Sequence, residues 1–475
     1  MLKVLFCSSE VVPFAKTGGL ADVCGTLPVV LAELGVDVKV VMPKYRSINE
    51  DEFDISRINA EFSKAKLHKN VEIYFIENET YYNREGLYGN QAGDFPDNLE
   101  RFKFFNLQSL KLLKMINWPC DIIHCHDWHA ALIPVYLKTI FQDDDFFKST
   151  KTVLTIHNLA FQGVFHKDEY GKLELPNELF AENGFYFYDK INFLKAGIIF
   201  SDEVSTVSPQ YATDIQTDEY GCGLNNTLRQ YKDGVVGILN GLDYAYWNPE
   251  RDEFISKRYT LDSFIEGKLE NKIELQKQMN LPVNIDMPVF GFVGRLSHQK
   301  GMDAIIQAVN EMESDHLQII IQGLGEERYQ NELSDLQRNQ KEKLSLSFEY
   351  NERLAHMIYA GSDWFLMPSQ FEPCGLTQMI SMCYGAPPLV NRTGGLVDTV
   401  KSFNPIKFSG NGLVCHENNP AVFISTIRRA IDLFHDKKVY FKLVANAMQS
   451  KFPWKESAKK YKEFYLCLLS ESQEG

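Results

Sequence analysis

Two loops of the sequence place positively charged side chains close to glycines, a combination that suits the binding of a phosphate group. They are residues 16–19 (KTGG), which begin with Lys16, and residues 294–301, which carry Arg295 and Lys300. Glycines let backbone N–H groups approach an anion, arginine offers a planar fork to two oxygens, and lysine adds a compact charge. A tight turn with a solvated lysine explains the first loop equally well. Surface salt bridges would explain either cation of the second loop alone, but two cations after a buried strand favour phosphate binding.

A third segment, residues 372–377 (EPCGLT), follows a predicted strand that ends at Met367. Backbone N–H groups at the start of a helix here could hold phosphate or sugar hydroxyls, and the Glu372 carboxylate could accept hydrogen bonds from sugar hydroxyls. Alternatively, this glutamate merely complements the helix dipole. Cys374 has no neighbouring base in the sequence that would activate it, so we interpret it as a small packed thiol.

Histidines lie at the ends of two predicted strands. Residues 124–129 (HCHDWH) superficially offer metal ligands, but at most His124 and His126 share a face of a strand. No second cluster has the ligand spacing of a zinc site, so we expect no metal. His157 and Asn158 end another strand and would line a ligand cleft, although a lone histidine is more often structural.

These loops require sheets to position them, and the first half of the chain alternates strand and helix. A glycine-bearing turn and a predicted helix at 21–34 follow the first strand, which predicts a strand–helix–strand unit and a parallel sheet. The predicted strands of this half are residues 2–7, 36–42, 121–125, 151–156 and 203–207.

A second α/β series begins after Pro288, with a predicted helix at 302–312. Open parallel sheets bind ligands at the carboxyl ends of their strands. We therefore predict an α/β protein with two facing doubly wound parallel-sheet domains and a central cleft, the chain crossing between them in the polar stretch 240–280. The predicted strands of this half are residues 289–293, 316–321, 344–350 and 364–367.

Composition excludes several classes of function. A net charge of −14 over 475 residues argues against a nucleic-acid binder, although a few local cations can still hold one diphosphate. The acidic run 143–145 is interpreted as solvated surface. Nine scattered cysteines favour a reducing compartment, and no apolar run approaches the roughly 20 residues that span a bilayer. With no recognisable targeting signal, we expect a cytoplasmic protein without a membrane partner.

Taken together, the segments resemble bacterial glycogen synthases and plant starch synthases over nearly the whole chain. The joint order of the motifs is far more specific than any one of them. The matching segments are KTGGLADV (16–23), GLYG (86–89), HDWH (126–129), TIHNLAFQG (155–163), GILNGLD (237–243), GRL and QKG (294–296 and 299–301), FEPCGLTQ (371–378) and RTGGL (392–396).

The resemblance implies a glycosyltransferase B fold and glucose transfer from ADP-glucose to an α-1,4-glucan such as glycogen, with retention of configuration and without metal or cofactor. It implies that three cations hold the donor diphosphate, that Glu372 grips the glucose and that Tyr350 stacks on adenine. The predicted catalytic residues are Lys16, His157, Arg295, Lys300 and Glu372. The predicted substrate-binding residues are Gly18, Gly19, Asp22, Tyr88, Asp127, Asn158, Asn240, Tyr350, Cys374, Gly375, Leu376 and Thr377.

The resemblance also implies a domain order: an acceptor-side domain at 1–242, a nucleotide-sugar domain at 243–455, and a helix at 456–475 that returns to the first domain. Two alternatives stay open. One is a related retaining transferase of another sugar nucleotide, and the other is a non-catalytic α-glucan-binding protein. The second alternative predicts loss of the charged site, yet all four charged groups (Lys16, Arg295, Lys300 and Glu372) are present.

Overall fold

The structure is a computed structural model that describes residues 1–90, 93–231 and 234–471. The chain divides into two compact units. Unit 1 contains residues 1–241 and the segment from Trp454 onward, and unit 2 contains residues 242–453. The last four residues of the predicted C-terminal segment lie outside the described part of the chain.

The main sheet of unit 1 has nine strands in the order β14-β13-β9-β8-β1-β2-β5-β4-β3. Its central strand β1 is almost entirely buried and pairs in parallel with β2 and β8. Continuous apolar runs of this kind are typical of parallel strands covered on both faces. The strands of unit 1 are β1 Lys3–Cys7, β2 Asp37–Pro43, β3 Ser56–Arg57, β4 Phe62–His68, β5 Val71–Ile76, β6 Gly89–Asn90, β7 Gly93–Asp94, β8 Ile122–His126, β9 Lys151–Ile156, β10 Val164–His166, β11 Tyr186–Phe187, β12 Lys190–Asn192, β13 Glu203–Thr206 and β14 Val236–Gly237.

One edge of this sheet differs from the fully parallel arrangement that the sequence predicted. Strand β4 pairs antiparallel with β3 on one side and with β5 on the other, and β5 continues the parallel pairing onto β2. The connection between β4 and β5 is the two-residue turn Lys69-Asn70, which is too short for the crossover that parallel neighbours need. Two small antiparallel sheets, β6-β7 and β10-β12-β11, were also missed.

The helices of unit 1 connect and cover the strands. Helix α1 begins at Gly19, two residues earlier than predicted, because it starts directly at the glycine turn. The helices of this unit before the crossing are α1 Gly19–Glu33, α2 Glu79–Tyr82, α3 Asn98–Met115, α4 Leu132–Leu137, α5 Phe193–Phe200, α6 Pro209–Asp214 and α7 Asn225–Arg229.

Unit 2 contains a six-stranded sheet in the order β17-β16-β15-β18-β19-β20, and all of its paired strands are parallel. Helices α8 and α11 pack on one another beside this sheet. The elements of unit 2 are α8 Phe264–Gln278, β15 Val289–Val293, α9 Met302–Glu311, β16 Gln318–Gln322, α10 Glu327–Asn339, β17 Leu344–Ser347, α11 Glu352–Gly361, β18 Trp364–Met367, α12 Thr377–Cys383, β19 Pro388–Asn391, α13 Gly394–Thr399, β20 Leu413–Cys415, α14 Pro420–His435 and α15 Lys437–Gln449.

Strands β15 and β18 have the bounds that the sequence predicted, whereas β17 is shorter. It ends at Ser347, so Tyr350 lies on the following loop, where it is 80% exposed. A buried apolar cluster joins the sheet to α8 and α11. Its members are Leu275, Met279, Leu281, Val289, Ile320, Leu354, Met357 and Ile358.

The C-terminal helix α16, Trp454–Glu471, belongs to unit 1 and packs against α1. Lys462 donates to the carbonyl of Leu34 at 2.7 Å, and Ser457 donates to the carbonyl of Leu239 at 2.5 Å. Tyr465 is buried, and its hydroxyl lies 2.7 Å from the ring of His124 in β8. Within the described residues, every helix is too short or too polar to cross a bilayer.

Candidate functional site

The glycine turn after β1 is fixed by a buried glutamate that the sequence analysis missed. Glu10 is 3% exposed, and its carboxylate accepts hydrogen bonds from the backbone N–H groups of Thr17 and of Gly18, the latter at 3.2 Å. It also accepts one from the Thr17 hydroxyl at 2.6 Å. The backbone N–H of Gly18, which was expected to face a ligand, is therefore already used by the protein, as is that of Thr17. A charged residue three positions after a buried strand was the available signal for this role.

Tyr88, on the loop before β6, donates a hydrogen bond to the same carboxylate. Its hydroxyl lies 2.6 Å from Glu10 and 2.7 Å from the hydroxyl of Ser9. The ring stacks on His129 with 4.6 Å between centroids. Burial raises the pKa of Tyr88, so the phenol stays protonated and serves as a hydrogen-bond donor. The predicted residue Tyr88 thus contacts the glutamate that holds the glycine turn.

Lys16 lies on the surface of this turn and pairs with Asp22 at 2.7 Å. Burial raises the pKa of Asp22 above its ordinary value, and the charge of Lys16 acts against that shift. A Cβ atom added to Gly18 or Gly19 would meet no described atom within 4 Å. Packing within the described chain thus does not require glycine at either position, and their small size leaves open space in front of the turn.

Asp127 follows β8 in a strained backbone conformation, with φ at 55°. Its carboxylate is buried and accepts the backbone N–H of His157 at 2.7 Å. Burial raises the pKa of Asp127 to about 7, although hydrogen bonds from the backbone of His157 and Asn158 act in the opposite direction. The ends of β8 and β9 thus bring together three predicted residues: Asp127, His157 and Asn158.

The His157 ring lies against a second histidine. His126 Nδ1 and His157 Nε2 are 2.9 Å apart, and burial lowers the pKa of His157 to about 3. Burial also lowers the pKa of His126, so both rings are neutral near pH 7. His124 and His126 do share one face of β8, as predicted, with ring centroids 4.1 Å apart.

Cys24 of α1 is the third member of a possible metal-binding group with His126 and His157, since one ligand atom from each lies within 4.8 Å of the others. Burial raises the pKa of Cys24, which favours the protonated thiol, a poor metal ligand. The hydrogen bond between the two rings also occupies one nitrogen of each. The chemistry of this donor set therefore fits a metal ion poorly.

Asn240, three residues after β14, is buried with an unsatisfied acceptor. Its side-chain oxygen Oδ1 has no hydrogen-bond partner among the described residues. A buried carbonyl oxygen without a donor costs free energy on the order of 1–3 kcal/mol. A ligand hydroxyl would supply the missing donor, and the substrate-binding role of Asn240 stays a prediction.

In unit 2, Lys300 and Glu372 form an ion pair of 2.6 Å between the loops that follow β15 and β18. The side chains of Lys300 and Glu372 are 19% and 7% exposed, and Ser369 donates a further hydrogen bond of 3.0 Å to the same carboxylate oxygen. Gly301 permits this approach, because a Cβ there would lie 2.0 Å from the carbonyl oxygen of Pro368. The structure therefore brings together the cation and the carboxylate that were predicted to hold diphosphate and glucose.

Arg295 lies on the same loop after β15 and is exposed. Its guanidinium forms no ion pair with any residue of the described chain. Tyr350, by contrast, lies on the loop after β17, at the edge strand of the sheet. The structure thus places Arg295 beside the loop of Lys300, and Tyr350 after a different strand.

Hydrogen bonds from a side chain to the backbone hold the segment before α12 in place. Gly375 has a φ of 76°, and the side-chain amide of Gln378 donates to the carbonyls of Cys374 and Gly375 at 3.1 and 3.0 Å. Cys374 is 5% exposed, as expected for a packed thiol. Leu376 is partly exposed, and the hydroxyl of Thr377 contacts the sulfur of Met367 at 3.3 Å.

Comparison with known proteins places this site in a family. A model of the starch synthase catalytic domain matches residues 3–230, and a model of glycosyl transferases group 1 matches residues 276–448. The chain is 41% identical to the glycogen synthase of Thermotoga maritima over 98% of both chains, and 42% identical to that of Finegoldia magna over 98% of this chain and 99% of the other. The chain belongs to the glycogen synthase family.

Solved structures agree with this assignment. The catalytic domain of starch synthase IV from Arabidopsis thaliana, bound to ADP and acarbose, matches 99% of both chains with a TM-score of 0.91 and 32% identity. Sucrose-phosphate synthase from Thermosynechococcus elongatus, at 15% identity and a TM-score of 0.62, shares the fold alone. The predicted glycosyltransferase B fold, with two α/β domains, is confirmed. As a member of the glycogen synthase family, the chain is a hexosyltransferase of the glycogen and starch synthase type.

Proposed function

We propose that the enzyme transfers glucose from ADP-glucose to the non-reducing end of an α-1,4-glucan with retention of configuration. The observation that carries this proposal is the Lys300–Glu372 pair beside Arg295, set on loops at the carboxyl ends of β15 and β18. Such strand ends are where open α/β sheets bind ligands. The starch synthase IV structure, which contains ADP and acarbose, supports both the nucleotide and the glucan side of the proposal.

Within unit 2, the donor diphosphate is assigned to Arg295 and Lys300, and Lys16 of unit 1 stays a predicted catalytic residue. Cleavage of the sugar–phosphate bond builds negative charge on the departing diphosphate, and positioned cations stabilise that charge. Arg295 forms no ion pair with the described residues and is free to chelate two phosphate oxygens. Lys300 already contacts Glu372. In this proposal the lysine therefore binds both the phosphate and the carboxylate that accepts hydrogen bonds from the glucose hydroxyls.

The glucose and acceptor side is assigned to residues of unit 1 at the ends of β8, β9 and β14. Neutral His157 can exchange hydrogen bonds with sugar hydroxyls without adding charge beside an oxocarbenium-like transition state. The unsatisfied oxygen of Asn240 can accept from a hydroxyl. The assigned residues of this side are Tyr88, Asp127, His157, Asn158 and Asn240.

Retention of configuration is proposed to arise by attack of the acceptor on the same face from which the diphosphate leaves. The departing phosphate oxygen takes the proton of the acceptor hydroxyl, so no protein nucleophile is required. A covalent intermediate would need a carboxylate beneath the anomeric carbon. Trapping a glucosyl adduct on a side chain would contradict the same-face route.

No metal is assigned to the reaction, because Arg295 and Lys300 supply the charge that a metal ion would otherwise provide. Cytoplasmic location stays a prediction from the scattered cysteines.

The deciding experiment incubates the purified protein with radiolabelled ADP-glucose and glycogen in the presence of EDTA. We expect label in the glycogen and its release as glucose by an α-1,4-specific exo-hydrolase. A parallel reaction with UDP-glucose tests the donor. Faster transfer from UDP-glucose would show that the preferred donor is UDP-glucose rather than ADP-glucose. Absence of transfer from either donor would favour the non-catalytic alternative.

A further inference from the structure

His126, at the end of β8, is enclosed on all sides that the structure describes. Its ring stacks on Phe6 of β1, with 5.1 Å between centroids and 24° between planes, and it packs against His124 on its own strand. His157 approaches from the end of β9 with Nε2 2.9 Å from His126 Nδ1, and the thiol of Cys24 lies within 4.8 Å of a nitrogen of His126. His126 is 0% exposed, so it cannot itself touch a substrate.

The hydrogen bond between the two rings has two possible directions. A neutral imidazole carries one N–H donor and one bare acceptor nitrogen. If His126 Nδ1 donates, its other nitrogen Nε2 is a bare acceptor. If His157 Nε2 donates, the proton of His126 must sit on its own Nε2.

The surroundings of His126 Nε2 decide between these directions. This nitrogen is buried and has no hydrogen-bond partner among the described residues. A buried N–H group without an acceptor is rarer in proteins than an acceptor without a donor. The arrangement in which His126 Nδ1–H donates to His157 Nε2 leaves only an acceptor unsatisfied, which is the commoner case.

We propose that His126 is a positioning residue that fixes His157 in the tautomer with its proton on Nδ1, so that His157 presents an N–H donor to the substrate. This inference rests on the proposed function for its catalytic consequence. Because both rings are neutral, the donor carries no full charge, and it suits a neutral oxygen such as a sugar hydroxyl. His126 also restricts rotation of the His157 ring by occupying its Nε2.

A second contact holds the same segment in place. The backbone N–H of His157 donates to Asp127 at 2.7 Å, so the ring and the backbone of His157 are each held by a residue from the end of β8. His157 itself is 8% exposed. Its orientation is therefore set by the fold before any substrate binds, which is the condition for effective catalytic groups.

The first test measures the tautomer directly. Protein labelled with ¹⁵N in its histidine rings is examined by two-bond ¹H–¹⁵N correlation NMR near pH 7, and the His157 signals are assigned by their loss in His157→Gln. We expect Nδ1 of His157 to be protonated and Nε2 to be bare. A protonated Nε2 would overturn the inference, and this result does not depend on whether the enzyme is active.

The second test compares two substitutions of His126. His126→Phe keeps the stacking on Phe6 but removes the donor, whereas the amide N–H of His126→Asn can reach the position of the lost Nδ1–H. A misplaced catalytic group costs about a hundredfold in turnover. We expect His126→Phe to lower kcat by about that factor with little change in the donor KM, and His126→Asn to restore most of it.

His124→Phe is the matched control, because His124 is equally buried on the same strand and hydrogen-bonds to Tyr465 and Thr155 rather than to His157. We expect a lower melting temperature with a kcat close to that of the wild type. Equal loss of kcat in His124→Phe and His126→Phe, or no rescue in folded His126→Asn, would overturn the positioning role. If His126→Phe failed to fold, the tautomer of the wild type and the kcat of His126→Asn would still decide. Wild-type protein that transfers no glucose would instead refute the proposed function.

Discussion

Each unit has a buried glutamate on a loop after a strand, Glu10 in unit 1 and Glu372 in unit 2, and the two are stabilised in different ways. Glu10 of unit 1 accepts hydrogen bonds from neutral groups, the backbone of the glycine turn and the hydroxyl of Tyr88. Glu372 of unit 2 is paired with the cation Lys300. The first carboxylate therefore shapes a turn, while the second holds a charged side chain in a defined position. The same residue type, at similar burial, has a conformational role in one unit and an electrostatic role in the other.

The cations of the two units differ accordingly. Lys16 is 45% exposed and pairs with Asp22 on the surface, where ion pairs contribute little to stability. Lys300 is 19% exposed and neutralises a carboxylate that is 7% exposed. We therefore expect substitution of either lysine to harm activity, but only substitution of Lys300 to harm the fold.

The largest expected effect is that of Lys300→Ala. Loss of one charge-stabilising donor lowers kcat by about 100- to 1,000-fold. Because Glu372 is left buried without its partner, the free energy of unfolding of this variant falls by about 3 kcal/mol. Glucose transfer and urea unfolding followed by tryptophan fluorescence measure the two quantities.

Lys16→Ala is the matched variant for this comparison. It is expected to lose transfer activity while it unfolds at the same urea concentration as the wild type. Equal stability of Lys300→Ala and Lys16→Ala would contradict the claim that only Lys300 stabilises the fold.

The carboxylate of Asp127 is also buried. Like that of Glu10, it is held by backbone N–H groups without a cation. Burial raises its pKa from 3.8 to about 7. Between these two values the folded protein retains a proton that the unfolded chain has lost, so this group makes stability fall as the pH rises. Relative to the wild type, Asp127→Asn should therefore gain roughly 2–4 kcal/mol between about pH 4 and pH 7, with no further gain above that.

The quantity to measure is the difference in unfolding free energy between Asp127→Asn and the wild type at each pH. His157, with its pKa lowered by burial to about 3, makes stability rise with pH between that value and 6.5. The two groups thus oppose each other in the wild-type profile, but the contribution of His157 cancels in the difference. A difference that is independent of pH would show that the backbone donors keep Asp127 ionised.

A smaller effect is expected for Glu10. Glu10→Gln retains an acceptor for the N–H groups of Thr17 and Gly18, and the hydroxyls of Thr17 and Tyr88 can reverse to meet the amide. Glu10→Met retains none, and we expect it to be about 1–3 kcal/mol less stable than Glu10→Gln in urea unfolding. Glu372→Gln removes the charge opposite Lys300. If Glu10→Gln were equally destabilising, the negative charge would matter at both positions, and the role of Glu10 would not be purely conformational.

The smallest effect is expected for Cys374→Ser. The thiol is buried at 5% exposure and serves packing, so the smaller hydroxyl should reduce turnover by less than about tenfold. Glu372→Ala, two residues earlier, is the contrasting variant and should nearly abolish transfer. Equal inactivity of the two variants would show that Cys374 takes part in the reaction.

Sequence reasoning found the parallel strands at the centre of each sheet, because they are continuous apolar runs between turn residues. It missed four other strands with a parallel partner, which are β5, β14, β19 and β20. Strands β9, β15 and β18 have the predicted bounds, since each is a short apolar run with many β-branched or aromatic residues. It also missed β3 and β4 at the edge of the sheet, because these strands are partly polar and exposed and pair only antiparallel. It extended β17 to Tyr350, because a β-prone sequence continues past the point at which the partner strand β16 stops.

The residues of the candidate site, and the contacts between them, could likewise be predicted only in part from the sequence. Lysines, glycines and a glutamate at strand ends identify candidate phosphate- and sugar-binding groups, because residue type and position after a strand are local properties. The contact of Glu10 with a turn seven residues later and with Tyr88, 78 positions away, is a property of the folded molecule. The same holds for the Lys300–Glu372 pair, whose members are 72 positions apart.

The amino-acid sequence by itself determined the α/β class, the strands that form the centre of each sheet, the family and the set of charged groups, because all of these follow from residue type and short-range spacing. The tertiary structure alone decided which groups are paired, which are neutral and which have an unsatisfied hydrogen bond. Hydrogen bonds and pKa values depend on distances of a few ångströms and on burial, and both are set by residues that are far apart in the chain.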